Sequence, residues 1–416
     1  MVPKGWTIGS LSDLADTVMG YAFKSTDFTP NGIPLLRMGN LYQNTLDFER
    51  SPVFLPATYK DEYKRFVVKP GDLVMSMTGT MGKRDYGFTV EIPKSAPESL
   101  LNQRVMKFVP KDKTSTGFLL SLLRSEIILS RLYSFPGGTK QANLSAKQVQ
   151  DLPALIPPYP EQKKIAQILS TWDKAITTTE QLLANSQQQK KALMQQLLTG
   201  KKHLLDKNGV MFSGEWKDVE IGRVLKEVKR PVDWDDEAEY KLLSVKRRSE
   251  GVVLREILKG SDILTKKMNV AHSGDFLISK MQIVHGAAGL VSDEFDGFHV
   301  SDSYISLIPK DESKLNIHFF AWFAKQKLMY HKAFLCSYGV HIEKMTFNFK
   351  LFLKEKIRVP VSIEEQQKIA AVLSSADQEI SALQQKLDAL KQEKKALMQQ
   401  LLTGKRRVKI DDKEIA

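Results

Sequence analysis

Apolar residues near the end of the chain fall at Ile369, Leu373, Ala376, Ile380, Leu383, Leu387, Leu390, Leu397 and Leu401, alternately four and three apart. That spacing keeps one stripe of a helix facing a partner and predicts a coiled-coil seam, with Lys394 standing in its one gap. The same stripe occurs earlier as Ile165, Leu169, Trp172, Ile176, Leu183, Leu193 and Leu197, interrupted by Thr179, Ser186 and Lys190. The match extends to identity, since Lys190–Lys201 recurs letter for letter as Lys394–Lys405, at an offset of 204. From Glu161 and from Glu365 onward, 24 of 41 aligned positions agree. A repeat of this kind fixes architecture more firmly than local propensity does. Pro160 suits a first helical turn, Ser362 with Glu365 predicts a capping box, and Gly200 and Gly404 predict the two helix ends. Two independent amphipathic helices, each packed on its own domain, is the plainer alternative.

Patterning changes between the helices. Runs at Phe66–Lys69, Asp72–Met77, Gln103–Val109, Phe276–Lys280 and Ser303–Ile308 read as strands bounded by Gly and Pro. Thr116–Leu132 and Ile317–Phe334 read as amphipathic helices. The fold class expected is therefore α+β: two mixed α/β domains joined by two long antiparallel coiled-coil helices with pseudo-twofold symmetry. The boundaries expected are 1–156 and 214–359 for the globular domains, and 157–213 and 360–416 for the helical regions.

Composition narrows the function. A chain of 416 residues, 26% charged and 9% aromatic, is long enough for several cores and is not wholly disordered. It has no run of apolar residues that would span a bilayer, and its single Cys336 makes no internal disulfide and no cysteine-rich metal site, so a cytoplasmic protein is expected. Lys and Arg exceed Asp and Glu by 61 to 48, a net charge of +13. The excess is spread over all four segments, which favours folded domains with modest basic faces over a coating tail and suggests a polyanionic partner such as double-stranded DNA.

Catalytic patterns are missing. Ile156-Pro157-Pro158-Tyr159 resembles an amino-methyltransferase loop, but Ile156 cannot accept the amino group's hydrogen bond, so the prolines read as a rigid helix start. Gly79-Thr80-Met81-Gly82-Lys83 lacks the first glycine of a phosphate loop and has Arg84 where a hydroxyl belongs. Asp233 with Glu239-Tyr240-Lys241 reads as a solvated acidic loop, and the seven histidines lack metal-ligand spacing.

Binding remains. The candidate DNA readers are loop residues that combine donor side chains with nearby glycine. They are Thr78, Thr80, Lys83 and Arg84, then Asn102, Gln103 and Arg104, then Thr139, Lys140 and Gln141 in the first domain. The second domain offers Lys246, Arg247, Arg248, Lys280, Gln282, His285, Tyr338 and His341. Two readers on rigid helices have the geometry to address two DNA half-sites about one helical turn, roughly 34 Å, apart.

The whole chain resembles the specificity (S) subunits of type I restriction-modification systems. The resemblance rests on P-x-x-x-E-Q-x-x-I-A-x-x-L-S at Pro157–Ser170, its second copy at Pro360–Ser374 with one extra residue, the L-L-T-G-K helix ends at Leu197–Lys201 and Leu401–Lys405, and Leu101-Asn102-Gln103-Arg104. It implies two target-recognition domains that read a bipartite, asymmetric site, and a chain that is not itself an enzyme. It also implies two modification (methyltransferase) subunits and restriction/translocase subunits as partners, with S-adenosylmethionine, ATP and Mg on those partners and no cofactor or metal here. Under that resemblance the repeated surface at Ala192, Leu193, Met194 and Leu197, and at Ala396, Leu397, Met398 and Leu401, is the partner-docking candidate. Gln195, Gln196, Gln399 and Gln400, repeated beside the seam, support docking over mere packing. A stand-alone two-lobed DNA-binding regulator or architectural protein has the same features without methyltransferase partners.

Overall fold

A computed structural model describes residues 2–135, 141–212, 214–339 and 345–410. The chain forms two units: Met1–Gln181 with Gln385–Ala416, and Leu182–Gln384. Each mixes strands with helices, as expected from the sequence.

The first unit holds two four-stranded sheets. One runs Thr89–Glu91, Leu73–Ser76, Val105–Pro110, Ala15–Met19, all antiparallel. The other runs Phe54–Leu55, Ile33–Leu36, Ser99–Leu101, Val67–Val68, with a parallel pair between Ser99–Leu101 and Ile33–Leu36. The second unit repeats both orders: Ala288–Leu290, Phe276–Ser279, Tyr304–Pro309, Leu225–Val228, and Val252–Lys259, Glu239–Val245, Phe298–Ser301, Met268–Ala271. In each, the opening strand pairs with the strand that enters a long helix, Thr7 opposite Ile156 and Trp216 opposite Pro360. The same topology therefore underlies inserts whose sequences have drifted beyond visual comparison.

Where one amphipathic helix was expected, each unit has two. Thr116–Leu123 stops before Glu126–Ser134, and Ile317–Ala324 before Lys327–Leu335. Ser125 and Gln326 are extended at these breaks, and the Ser125 hydroxyl donates to the Leu122 carbonyl at 2.6 Å. A serine that satisfies a backbone carbonyl in this way competes with the helical ladder.

The long helices are Tyr159–Leu197 and Ile363–Leu402. The core of the first unit takes Ile165 and Leu169 from the start of one and Leu401 and Leu402 from the end of the other, packed with Leu11, Phe108, Phe118 and Leu119. The second unit does the reverse, with Leu197 and Leu198 joining Ile369, Ala370 and Leu373 against Phe319 and Phe320. The pairing is antiparallel within each unit. In the first, Asp173 meets Lys394 at 2.5 Å and Glu180 meets Lys391 at 2.7 Å. In the second, Ser186 donates to Glu379 at 3.1 Å and Lys190 pairs with Asp377. Of the polar residues that interrupt the apolar stripe, Ser186, Lys190 and Lys394 thus bridge the helices, whereas the Thr179 hydroxyl donates to the Ala175 carbonyl of its own helix at 2.8 Å.

The glycine stops hold. Gly200 and Gly404 take left-handed φ of 69° and 66°, and a side chain at Gly404 would lie 2.3 Å from Pro3. The capping box at Ser362 forms only in part. The Glu365 backbone N–H donates to the Ser362 hydroxyl at 3.1 Å, but the Glu365 carboxylate turns instead to His203 at 2.9 Å.

Candidate nucleic-acid interface

Backbone hydrogen bonds gather the first unit's candidates at one end of its strands. Met77 donates to the Arg104 carbonyl and Asn102 to that of Leu36, each at 3.0 Å, so the ends of Leu73–Ser76 and Ile33–Leu36 lie beside Asn102-Gln103-Arg104. A two-stranded ribbon extends this edge: Thr78–Thr80 pairs with Gln141–Asn143, placing Thr80 opposite Gln141. Thr80, Gln141, Gln103 and Arg104 are exposed. Thr78 is buried at 3% exposure and its hydroxyl donates to Asn143 Oδ1 at 3.0 Å, so it holds the ribbon together and presents nothing to a ligand.

Lys83 is exposed in the turn after the ribbon, whereas Arg84 folds back: its guanidinium bonds both Glu126 oxygens at 3.1 and 3.2 Å and lies 5.1 Å from the Tyr133 ring centre. The turn is set by Asp85, whose carboxylate accepts from Thr80 N at 2.7 Å. Burial alone would raise the Asp85 pKa; hydrogen bonds from Thr80, helped by Lys83, hold it below the usual range.

The second unit gathers its own set. Lys246, Arg247 and Arg248 form the exposed tip of the hairpin between Glu239–Val245 and Val252–Lys259, closed by Lys246 N to Gly251 O at 2.9 Å. Arg248 and Ser249 are left-handed, with φ of 59° and 54°. The tip is pinned to the turn that carries Gln282 and His285. Arg247 Nε donates to Gln282 Oε1 at 2.5 Å, Ser249 N to Gly286 O at 2.8 Å, and the Ser249 and Tyr330 hydroxyls meet at 2.6 Å. Lys280 lies on the same edge with its ammonium on the Asp302 carbonyl at 2.5 Å. Tyr338 is exposed on a different ribbon, Ser337–Tyr338 with Thr346–Phe347. Thr139, Lys140 and His341 lie outside the described residues.

The edges also hold residues that sequence reasoning missed. Arg37 and Lys246 each stand at the entrance to a short helical turn that directly follows a matching strand, so Arg37 is the first unit's counterpart of the basic tip. Tyr21 bridges Asn102 on the same edge. Neither had a signal, because each depends on pairing between distant residues.

The docking candidates separate by burial. Leu197 and Leu401, at 0% and 1% exposure, belong to the globular cores and offer no surface to a partner. Leu193, Met194, Leu397 and Met398 are partly buried against those cores. Of the docking candidates and the glutamines beside them, those left exposed are Ala192, Gln195 and Gln196, and Ala396, Gln399 and Gln400.

The Glu-Gln pair opening each repeat has a structural task. Gln162 accepts from Ser115 N at 3.0 Å and donates to the Pro157 carbonyl at 2.9 Å. Gln366 repeats this with Asn316 N and the Pro360 carbonyl, both at 2.9 Å. Glu161 accepts from Trp6 Nε1 at 3.0 Å and from Arg407. Among the described residues no group of three or more His, Cys, Asp or Glu is placed to hold a metal ion, and no helix is long and apolar enough to cross a membrane.

The model of the type I restriction modification DNA specificity domain matches residues 3–185 and again 214–392. The chain is similar to the type I restriction enzyme MjaVIII specificity subunit of Methanocaldococcus jannaschii, 30% identical over 210 residues, half of this chain and 48% of that protein. It is also similar to the EcoBI specificity subunit of Escherichia coli, 24% identical over 394 residues, 88% of this chain and 77% of that one. Thus the chain spans about half the length of the first relative and about three quarters of the second. In fold it resembles the S subunit of the type I restriction-modification system from M. genitalium, with a TM-score of 0.60, 14% identity and 96% of each chain covered. With two copies of the domain in succession, the chain belongs to the type I restriction-modification specificity family.

Proposed function

We propose that this chain is the DNA sequence-specificity subunit of a type I restriction-modification complex, recognising a bipartite, asymmetric site with one half per recognition domain. The domains are taken as 1–156 and 214–359, with the helical regions 157–213 and 360–416 as spacers. The observation that carries this reading is a shared strand order ending in unlike edges. The first edge has Arg37 and a ribbon of Thr78–Thr80 with Gln141–Asn143; the second has Lys246, Arg247 and Arg248 on a pinned hairpin and a ribbon of Ser337–Tyr338 with Thr346–Phe347. Equal scaffolds with unlike donors fit two different half-sites, since phosphate contacts position a protein and base-edge contacts specify sequence.

In this reading the chain performs no catalysis. Two modification subunits bind S-adenosylmethionine and methylate adenine, restriction/translocase subunits use ATP and Mg, and the complex acts in the cytoplasm. The exposed repeated residues Gln195, Gln196, Gln399 and Gln400 suit docking of two identical modification subunits, because equal surfaces accept equal partners. The test is methylation mapping in cells that carry the modification subunit with and without this chain. N6-methyladenine at a bipartite motif only in its presence supports the proposal; a motif independent of the chain overturns it.

A further inference from the structure

The first unit's edge carries an aromatic ledge. Tyr21 follows the strand Ala15–Met19, and its backbone is held from both sides, its N–H donating to Leu101 O at 2.9 Å and its carbonyl accepting from Gln103 N at 3.0 Å. Gly20 allows this approach, since a Cβ there would lie 2.0 Å from the Asn102 carbonyl oxygen. The Tyr21 ring rests on Phe23 and Tyr63, each 4.9 Å away between centres, and on Phe66 at 5.4 Å. It is nonetheless 41% exposed, beside the exposed donors Gln103 and Arg104.

A ring fixed by its backbone and by three other rings is not free to insert between base pairs. The part of the ring left exposed adds aromatic surface to a site of hydrogen-bond donors, a combination suited to thymine, whose 5-methyl group is the apolar mark on the major-groove edge. We infer that Tyr21 is a specificity-determining residue of the half-site read by the first unit, packing against a thymine methyl next to the bases addressed by Gln103 and Arg104. This rests on the DNA-specificity reading above. Among the described residues, the matching position of the second unit holds a proline. The matching strands open opposite prolines, Ala15 with Pro110 and Leu225 with Pro309, and six residues on from Leu225 stands Pro231, bridged to Asn269. The thymine contact therefore belongs to one half-site.

The experiment uses the assembled methyltransferase and duplexes in which each thymine of the site is replaced in turn by deoxyuridine, which removes only the methyl group. The wild type is expected to lose about fourfold in methylation rate at one position, the fold-change for one buried methyl. That position lies in the half-site whose readout Gln103→Ala and Arg104→Ala damage. Tyr21→Ala is expected to show the loss with thymine and no further loss with uracil, while Tyr21→Phe keeps the wild-type response. Unchanged readout of the other half-site certifies that the variants fold. A wild type indifferent to every substitution in that half-site, a half-site without thymine, or a Tyr21→Ala variant still sensitive to uracil overturns the inference. An assembly that methylates no motif overturns the DNA-specificity reading itself, a result distinct from an intact motif blind to uracil.

Discussion

Lys394 of the second long helix donates to Asp173 of the first at 2.5 Å, and Lys190 and Asp377, the same two positions one repeat away, pair with the helices exchanged. Each copy of the repeat supplies the lysine for one bridge and the aspartate for the other. Both lysines are largely buried, 17% and 20% exposed, while the aspartates keep water contact at 46% and 41%. Removing Lys394 alone is expected to cost about 1 kcal/mol, in the range of a partly screened ion pair. The exchanged double variant Asp173→Lys with Lys394→Asp is expected to recover part of that loss. A double-mutant cycle in urea unfolding reads the coupling, and strict additivity would deny it.

Gln366 has no exposed surface and fills three hydrogen bonds, to Asn316 N, the Lys314 carbonyl and the Pro360 carbonyl. Gln366→Ala leaves those buried backbone groups unpaired and is expected to cost about 2–3 kcal/mol. Exposed Gln399→Ala serves as the comparison and is expected to leave the melting temperature nearly unchanged. Equal melting temperatures for the two variants would contradict the clamp.

His299 lies half-buried against Tyr240, with ring centres 5.0 Å apart, and burial lowers its pKa despite a backbone hydrogen bond at Lys241. The folded state therefore binds this proton less readily than the unfolded chain does. Its contribution to stability is full above the ordinary histidine range near 6.5 and is lost as pH falls through the lowered folded value. The stability of the wild type is expected to decline with acidification in that window more steeply than that of His299→Phe. Parallel stability profiles for the two proteins would refute this.

Docking on the repeated glutamines predicts a separation of effects. Glutamate at all four positions, Gln195→Glu and Gln196→Glu with Gln399→Glu and Gln400→Glu, is expected to weaken capture of the modification subunit about tenfold or more, as charges desolvated at an interface do, with little change in the free chain's stability. Pull-down and thermal unfolding on the same variant decide it. Undiminished capture would remove these residues from the interface.

Much of the architecture was legible because it rests on repetition. The offset of 204 predicted two equal helices, and the strand runs lay close to those observed, Asp72–Met77 against Leu73–Ser76 and Phe276–Lys280 against Phe276–Ser279. Helix interruptions were not legible, because Ser125 ends its helix through one hydroxyl-to-carbonyl bond that composition does not signal. Thr78 read as a donor and proved to be buried, since its strand pairs with Gln141–Asn143 more than sixty residues away. Arg84, a candidate reader in the sequence, stays exposed in the fold but pairs with Glu126, a partner that local pattern does not signal. Arg37 and Tyr21 escaped notice for the same reason: long-range pairing, not local pattern, brings them to the edge.

The central claim is that each unit reads its own half of the site. The most direct measurement compares the methylated motifs specified by two variants, Gln103→Ala with Arg104→Ala in the first unit and Lys280→Ala with Gln282→Ala in the second. Each is expected to relax or abolish readout at one half-site and leave the other half and the spacing unchanged, with the affected halves different. Loss at both halves from either variant, or the same half affected by both, would contradict the account.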